Sequence, residues 1–305
     1  MKAAPFSYVR PSTLDDVIDE LERADRGAGG KVLAGGQSLV PVLAMRLGRP
    51  ATLVDITAVD ELRNSRMIDD QLVLGAAVRQ RTAEREHSRT VPLLGKTFPW
   101  IGHREIRSRG TVCGSLAHAD PSAELPAVAR CLDATIEVAG PDGRRRIPAG
   151  EFFTGAMSTV LQPTELIVAV HLPLPRPDSG FGFAEVARRH GDFALAGVAV
   201  RVRTQQHKVT EAIVSSFGVA DRPQRTDVTD QLDQAVRRAG DDEKRLIAEL
   251  GDTVNELAEE VVTTGGDNAG SPAYRRRLIR ALAARELARA HRAGSNHDNR
   301  TETAR

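Results

Sequence analysis

Apolar positions near the start of the chain follow a helical period and then a strand-like one. Leu14, Val17, Ile18 and Leu21 recur at three- and four-residue spacing and predict an amphipathic helix. Thr13 stands where a helix cap belongs, and Asp16 follows three residues on. The stretch from Gly27 to Gly30 ends that element. Val32-Leu33-Ala34 then reads as a short buried strand, Leu39 to Arg46 as a helix, and Leu53 to Ile56 as a second strand. Short strands joined through helices predict parallel connections, an α/β opening. Met67-Ile68 and Leu72 to Leu74 flank Asp69-Asp70-Gln71 and predict a hairpin.

Helical patterns follow at Thr82 to His87, Val91 to Ile101 and Leu125 to Leu132. Thr135 to Val138 and Arg145 to Ile147 lie on either side of the turn Gly140-Pro141-Asp142-Gly143, and Glu165 to Leu172 reads as a further strand. Pro173-Leu174-Pro175-Arg176-Pro177 excludes a regular helix or central strand and marks a domain boundary. Beyond it come strand-like runs at Ala194 to Val202 and Val209 to Gly218. Helical segments follow at Asp227 to Ala239, Glu243 to Val262 and Pro272 to Arg292, which together predict an α+β C-terminal domain. Ala293 to Arg305 lack apolar anchors and are expected to be disordered.

Composition narrows the class. A chain of 305 residues, 41% hydrophobic and 27% charged, is long enough for two or three domains with proper cores. Its 42 basic and 41 acidic residues leave a formal net charge of +1, which gives no support for a nucleic-acid partner. The first residues lack the apolar core of a signal peptide, and no run approaches the length of a membrane span, so the expected location is the cytoplasm. Cys113 and Cys131 form no metal-ligand pair, and a reducing compartment argues against a disulfide between them.

The chemistry is concentrated in two glycine-rich turns about 75 residues apart. The first, Ala34-Gly35-Gly36-Gln37-Ser38, lies between a strand and a helix pattern. The second is Gly110-Thr111-Val112-Cys113-Gly114-Ser115, followed by Leu116 to Pro121. Glycine lets backbone N–H groups approach a ligand closely, and such a turn before a helix suits phosphate. Each turn alone reads as structural; together they suggest a diphosphate gripped from two sides. Neither fits the dinucleotide fingerprint or the Walker pattern. Asp120 and Glu124 read as helix-capping acids or as acceptors for ligand hydroxyls. Arg107 and Arg109 read as phosphate neutralisers or as exposed side chains, and Arg188-Arg189-His190-Gly191-Asp192 as a polar turn. His118 lacks a second ligand at metal spacing, and no nucleophile motif is present.

Three stretches resemble one family, the FAD-binding medium subunit of molybdenum hydroxylases, typified by the carbon monoxide dehydrogenase flavoprotein and related to the xanthine dehydrogenase flavin domain. They are Ala34 to Leu47 with Pro50, Arg107 to Pro126, and Arg188 to Ala194; Pro5 to Tyr8 and Pro11 to Thr13 fit as well. The likeness covers about residues 3 to 290. It implies an α+β fold: a two-subdomain FAD-binding domain (1–57 and 58–175) of the PCMH type, a C-terminal α+β domain of the CO dehydrogenase flavoprotein type (176–292), and a tail (293–305). It further implies that Ala34, Gly35, Gly36, Gln37 and Ser38 cradle the pyrophosphate with Thr111, Gly114 and Ser115. Leu39 and Ile101 would line the cofactor, Asp120 and Glu124 would serve its hydroxyls, and Arg188, Arg189 and Asp192 would lie near the isoalloxazine. The second motif ordinarily has glycine where this chain has Cys113, which needs either a strained positive φ or an extended backbone there.

Two cysteines cannot hold an iron–sulfur cluster. The family therefore implies partners: a molybdopterin-containing large subunit and a small subunit with two [2Fe–2S] clusters, in a dimer of heterotrimers. The expected role is to pass electrons from those clusters through FAD to an external acceptor. Two alternatives are a stand-alone FAD-dependent oxidoreductase, with His118 the nearby attachment candidate, and a non-catalytic subunit that has lost FAD through Cys113.

Overall fold

The structure, a computed structural model, describes residues 2–240 and 242–302. It divides into two compact units. The first comprises Met1–Glu86, His103–Ala119 and Asp133–Pro173, and the second His87–Gly102, Asp120–Leu132 and Leu174–Arg305.

The chain opens with β1 (Ser7–Val9), α1 (Leu14–Asp25), β2 (Gly30–Leu33), α2 (Leu39–Ala44) and β3 (Thr52–Asp55). Thr13 caps α1, its hydroxyl accepting the Asp16 N–H at 3.2 Å and donating to the Asp16 carboxylate. Leu14, Val17 and Leu21 are buried, as their spacing predicts. The three strands form a parallel sheet in the order β1-β3-β2, with Val9 and Val32 both in register with Val54. Parallel neighbours need crossovers, which α1 and α2 supply.

The next elements are β4 (Ser65–Ile68), β5 (Gln71–Gly75), α3 (Gln80–His87), α4 (Pro92–Thr97), α5 (Arg104–Arg107), α6 (Val112–His118) and α7 (Glu124–Cys131). After them come β6 (Thr135–Gly140), β7 (Gly143–Pro148), α8 (Ala149–Phe152), β8 (Phe153–Gly155), β9 (Ser158–Thr159) and β10 (Leu166–Pro173). The expected hairpin is β4–β5, with Asp69 left-handed at its turn (φ 49°). An antiparallel sheet in the order β4-β5-β10-β6-β7 completes the first unit, its core built on Leu72, Leu74, Ile136, Val138 and Val170. Cys113 and Cys131 are both buried and free of a disulfide.

The second unit is built on β11 (Ser179–Ala187), β12 (Ala194–Gln205), β13 (Lys208–Phe217) and β14 (Gln224–Asp227), an antiparallel meander in chain order. Its helices are α9 (Thr229–Ala239), α10 (Glu243–Glu249), α11 (Gly251–Val261) and α12 (Pro272–Glu302). One helix, α12, packs on β11 and β12, burying Ile279, Leu282 and Leu287 with the valines of β12 and with Leu232 and Leu257. The earlier segments α4 and α7 also pack on this sheet, α4 against β11 and α7 against β12 and β13.

Four expectations change. The helix expected over Glu243 to Val262 breaks at Leu250, which ends α10 and opens α11, with the poor helix former Gly251 next. Strand β11 is unforeseen. Its Gly182 looks like a strand breaker, yet it admits α12: a Cβ there would lie 2.7 Å from the Glu286 carbonyl oxygen. The segment after Thr111, expected only as a turn, is the helix α6. The tail expected to be disordered from Ala293 is helical through Glu302; positions 303–305 of that expectation lie outside the described residues. Among the described residues no helix is long and apolar enough to cross a membrane.

Candidate cofactor site

In the first unit the two glycine turns are brought against each other. Strand β2 ends at Leu33, whose carbonyl accepts the Ile56 N–H at 3.0 Å, and the chain turns at once through Ala34 to Ser38 into α2. Gly35 has no room for a side chain. A Cβ would strike the Arg109 carbonyl and come within 2.7 Å of Gly110 Cα. Gly36 is left-handed (φ 72°), a conformation glycine adopts without strain. The Gln37 amide donates to the Gly35 carbonyl at 3.2 Å and closes the turn. Among the described residues the N–H groups of Gly36, Gln37 and Ser38 donate to no backbone carbonyl.

The second turn is fixed from below. Gly110 donates to the Ile106 carbonyl at 2.8 Å, and its own carbonyl accepts the Gln80 N–H at 2.8 Å. The Gln80 side chain, buried, reaches the Thr111 carbonyl at 3.4 Å. Thr111 caps α6, its hydroxyl accepting the Gly114 N–H at 2.9 Å. A Cβ on Gly114 would press on that hydroxyl at 2.6 Å and would reach Ala34 at 3.9 Å. Ala34, Gly35, Thr111 and Gly114 thus meet, while Ser115 follows on the half-buried face of α6 and Leu39 opens α2.

Two readings at this turn are corrected. Arg107 neither neutralises phosphate nor lies exposed. It is buried and forks onto Glu84, Nε to Oε2 at 3.1 Å and Nη2 to Oε1 at 3.3 Å. Cys113 is neither left-handed nor extended. It is a buried residue of α6 whose thiol burial pushes up to about 12. The cysteine therefore carries no backbone strain.

In the second unit Ile101 is buried at the end of the turn that follows α4. Asp120 folds back to accept the Ser122 N–H at 2.8 Å, and Glu124 is the first residue of α7. Glu124 is buried, and burial, reinforced by the Asp120 charge, pushes its carboxyl up to about 7. Arg188, Arg189 and Asp192 lie exposed in the loop between β11 and β12, which Gly191 (φ 83°) turns. Phe193 there is 74% exposed. Trp100, next to Ile101, packs edge-on against His190 of that loop at 6.4 Å.

A cradle of close-set backbone with free N–H donors in the first unit fits a diphosphate, and a buried acid in the second fits hydroxyl donors. Comparison with known proteins agrees. The profile of the FAD binding domain in molybdopterin dehydrogenase matches residues 4–175. The chain belongs to that family. Residues 181–290 match the CO dehydrogenase flavoprotein C-terminal domain. The 6-hydroxypseudooxynicotine dehydrogenase complex subunit alpha of Paenarthrobacter nicotinovorans is 37% identical over 96% of this chain and 97% of its own. Caffeine dehydrogenase subunit beta of Pseudomonas sp. (strain CBB1) is 34% identical over 95% of this chain and 96% of its own. A chain of the reconstituted CO dehydrogenase from Oligotropha carboxidovorans superposes with a TM-score of 0.86 at 28% identity, covering 96% of this chain and all of that one.

As a member of this family the chain binds FAD and is a subunit of an oxidoreductase of the molybdenum hydroxylase type. Two residues escape sequence reasoning. Gln80 carries no motif; only its position at the start of α3, beneath Gly110, reveals its part in holding the turn. Glu185 is an acid within a strand that glycines disguise, and it is 5% exposed.

Proposed function

We propose that this chain is the electron-exit subunit of a cytoplasmic molybdenum hydroxylase. It receives electrons from the two [2Fe–2S] clusters of a small partner subunit, which serve a molybdopterin-containing large subunit, and delivers them to an external acceptor. The whole would be a dimer of such heterotrimers. The paired glycine cradle is the observation that carries the reading. Bound FAD supplies the exchange between one-electron and two-electron transfer that such a relay needs.

The residues have separate tasks. Gly35 and Gly36 keep side chains out of the cradle, and the N–H groups of Gly36, Gln37 and Ser38, which donate to no backbone carbonyl among the described residues, would donate to diphosphate oxygens. Thr111, Gly114 and Ser115 would form its other wall, set against Ala34, with Thr111 and Gln80 holding that wall rigid. Leu39 and Ile101 line the cofactor and exclude water. Asp120 and Glu124 accept from hydroxyls, and Arg188, Arg189 and Asp192 serve the ring system. Two buried cysteines are too few for a four-thiolate cluster, which supports electron supply from a partner. Caffeine dehydrogenase, 6-hydroxypseudooxynicotine dehydrogenase and CO dehydrogenase bear the names of unlike substrates, which supports substrate choice by another subunit.

The test is a visible spectrum of the purified chain with added FAD, before and after dithionite, followed by co-purification with candidate partner subunits. A retained flavin band that bleaches with dithionite, and recovers when an acceptor is added to the assembled complex, is expected. A chain that retains no flavin, alone or in the complex, overturns the reading.

A further inference from the structure

In the second unit one face of the sheet gathers polar groups that the cofactor residues leave unused. Phe183 and Glu185 of β11 share that face, two residues apart. Strand register extends it across Ala199 and Gly197 of β12 to Ser215 and Phe217 of β13. The Phe217 ring lies over Gly197, where any side chain would strike it, and stacks on Phe183 at 5.7 Å. Trp100 stands 6.5 Å from Phe183. Beside these rings Glu185 is nine-tenths buried, and its Oε2 has no hydrogen-bond partner among the described residues. A lone carboxylate in such a place is costly unless it holds a proton or meets a partner.

The buried acid on the helix that packs over the neighbouring strands is Glu124, and its charge bears on Glu185. Helix α7 packs on β12 and β13, and the loop before it is tied to the sheet where Gly218 N–H donates to the Pro121 carbonyl at 2.8 Å. Other charges on elements packed against β11 are engaged elsewhere: Arg203 by Asp178 on β12, and Glu286 by Arg285 and Arg289 on α12; α4 adds Lys96. Arg201 is held by Glu211, α7 carries Arg130 in its last turn, and Arg225 of β14, on which α7 also packs, stands opposite Ser215.

We propose that Glu185 is a positioning residue for Glu124, a buried carboxyl that keeps a proton beside it so that the pair carries one negative charge when the hydroxyl-bearing chain of FAD binds. The proposal rests on the cofactor reading for Glu124. A ligand hydroxyl donated to Glu124 favours its carboxylate form, and the remaining proton stays on Glu185. Burial pushes Glu185 up to about 8, with the Glu124 charge adding to it, above the value of about 7 for Glu124. The Glu124 charge thus makes the Glu185 proton harder to lose.

Two readouts test this, one without ligand. In the apoprotein both groups hold protons that the unfolded chain has lost above about pH 4.5, so stability falls as pH rises from there through the two raised values. Glu185→Gln removes its own share of that fall. Its Tm relative to wild type should climb between about pH 4.5 and pH 8 and level off above, by on the order of 5 °C. A gap that stays flat with pH overturns the proposal. Calorimetric titration with FAD near neutral pH, in two buffers of different ionisation enthalpy, should give Glu185→Gln a proton count different from wild type; an equal count at every pH overturns it as well. Wild type that binds no FAD overturns the cofactor reading, while the melting curves still judge the pair. Should Glu185→Gln fail to fold, Glu124→Gln reads the pair from the other side: it should flatten the same fall, and an unchanged Tm profile counts against the proposal.

Discussion

At the scale of the residue, Gly35 has almost no freedom. Adding one methyl group sets it against the Arg109 carbonyl and Gly110 Cα, so the two turns must part. Gly35→Ala is expected to cost about 1–3 kcal/mol in urea unfolding and to lose FAD binding in a flavin titration. Cys113 gives the opposite lesson. Glycine is the family's habit there, but this chain's cysteine is helical and packed, so Cys113→Gly should lower stability by about 1–2 kcal/mol and leave FAD retention no better. Both thiols should resist a thiol reagent at mild alkaline pH until the chain unfolds, because both are buried and that of Cys113 is held protonated. The glycines are readable in the sequence because a missing side chain is itself a signal. Glu185 and Gln80 are not, because an acid or an amide has meaning only through what surrounds it.

At the scale of the element, α1 is the clearest case of pattern becoming structure: cap, acidic first turn and apolar spacing agree. Helix α6 and strand β11 fail that kind of reading. The first begins inside a motif whose glycines suggest a turn, and the second carries two glycines that exist to admit α12. Short α5 is held by Arg107 on Glu84 of α3. Burial raises the Glu84 carboxyl, but the bonds and charges of Arg107 and Arg81 outweigh it and hold the group below the usual range. Such a carboxyl stabilises the fold above the unfolded value and loses that contribution as pH falls through the folded one. Arg107→Met should cost about 1.5–3 kcal/mol near neutral pH, and the gap from wild type should narrow below about pH 4, as measured by denaturant midpoints.

At the scale of the whole molecule, cofactor and fold are linked by mass action. FAD at about a hundred times its Kd should add about 2.7 kcal/mol and raise Tm by roughly 5 °C, read by differential scanning calorimetry. The second unit is not continuous in the chain. Segments His87–Gly102 and Asp120–Leu132 belong with everything after Leu174. The apolar faces of α4 and α7, with Leu93, Leu94, Leu125 and Val128, are covered by strands translated some sixty to ninety residues later. During synthesis these greasy stretches leave the ribosome well before their shelter exists, and a chaperone is the natural custodian in the interval. A fragment cut at the prolines near residue 175 would stay in that unfinished condition, so the chain that reads as two pieces has to be made as one.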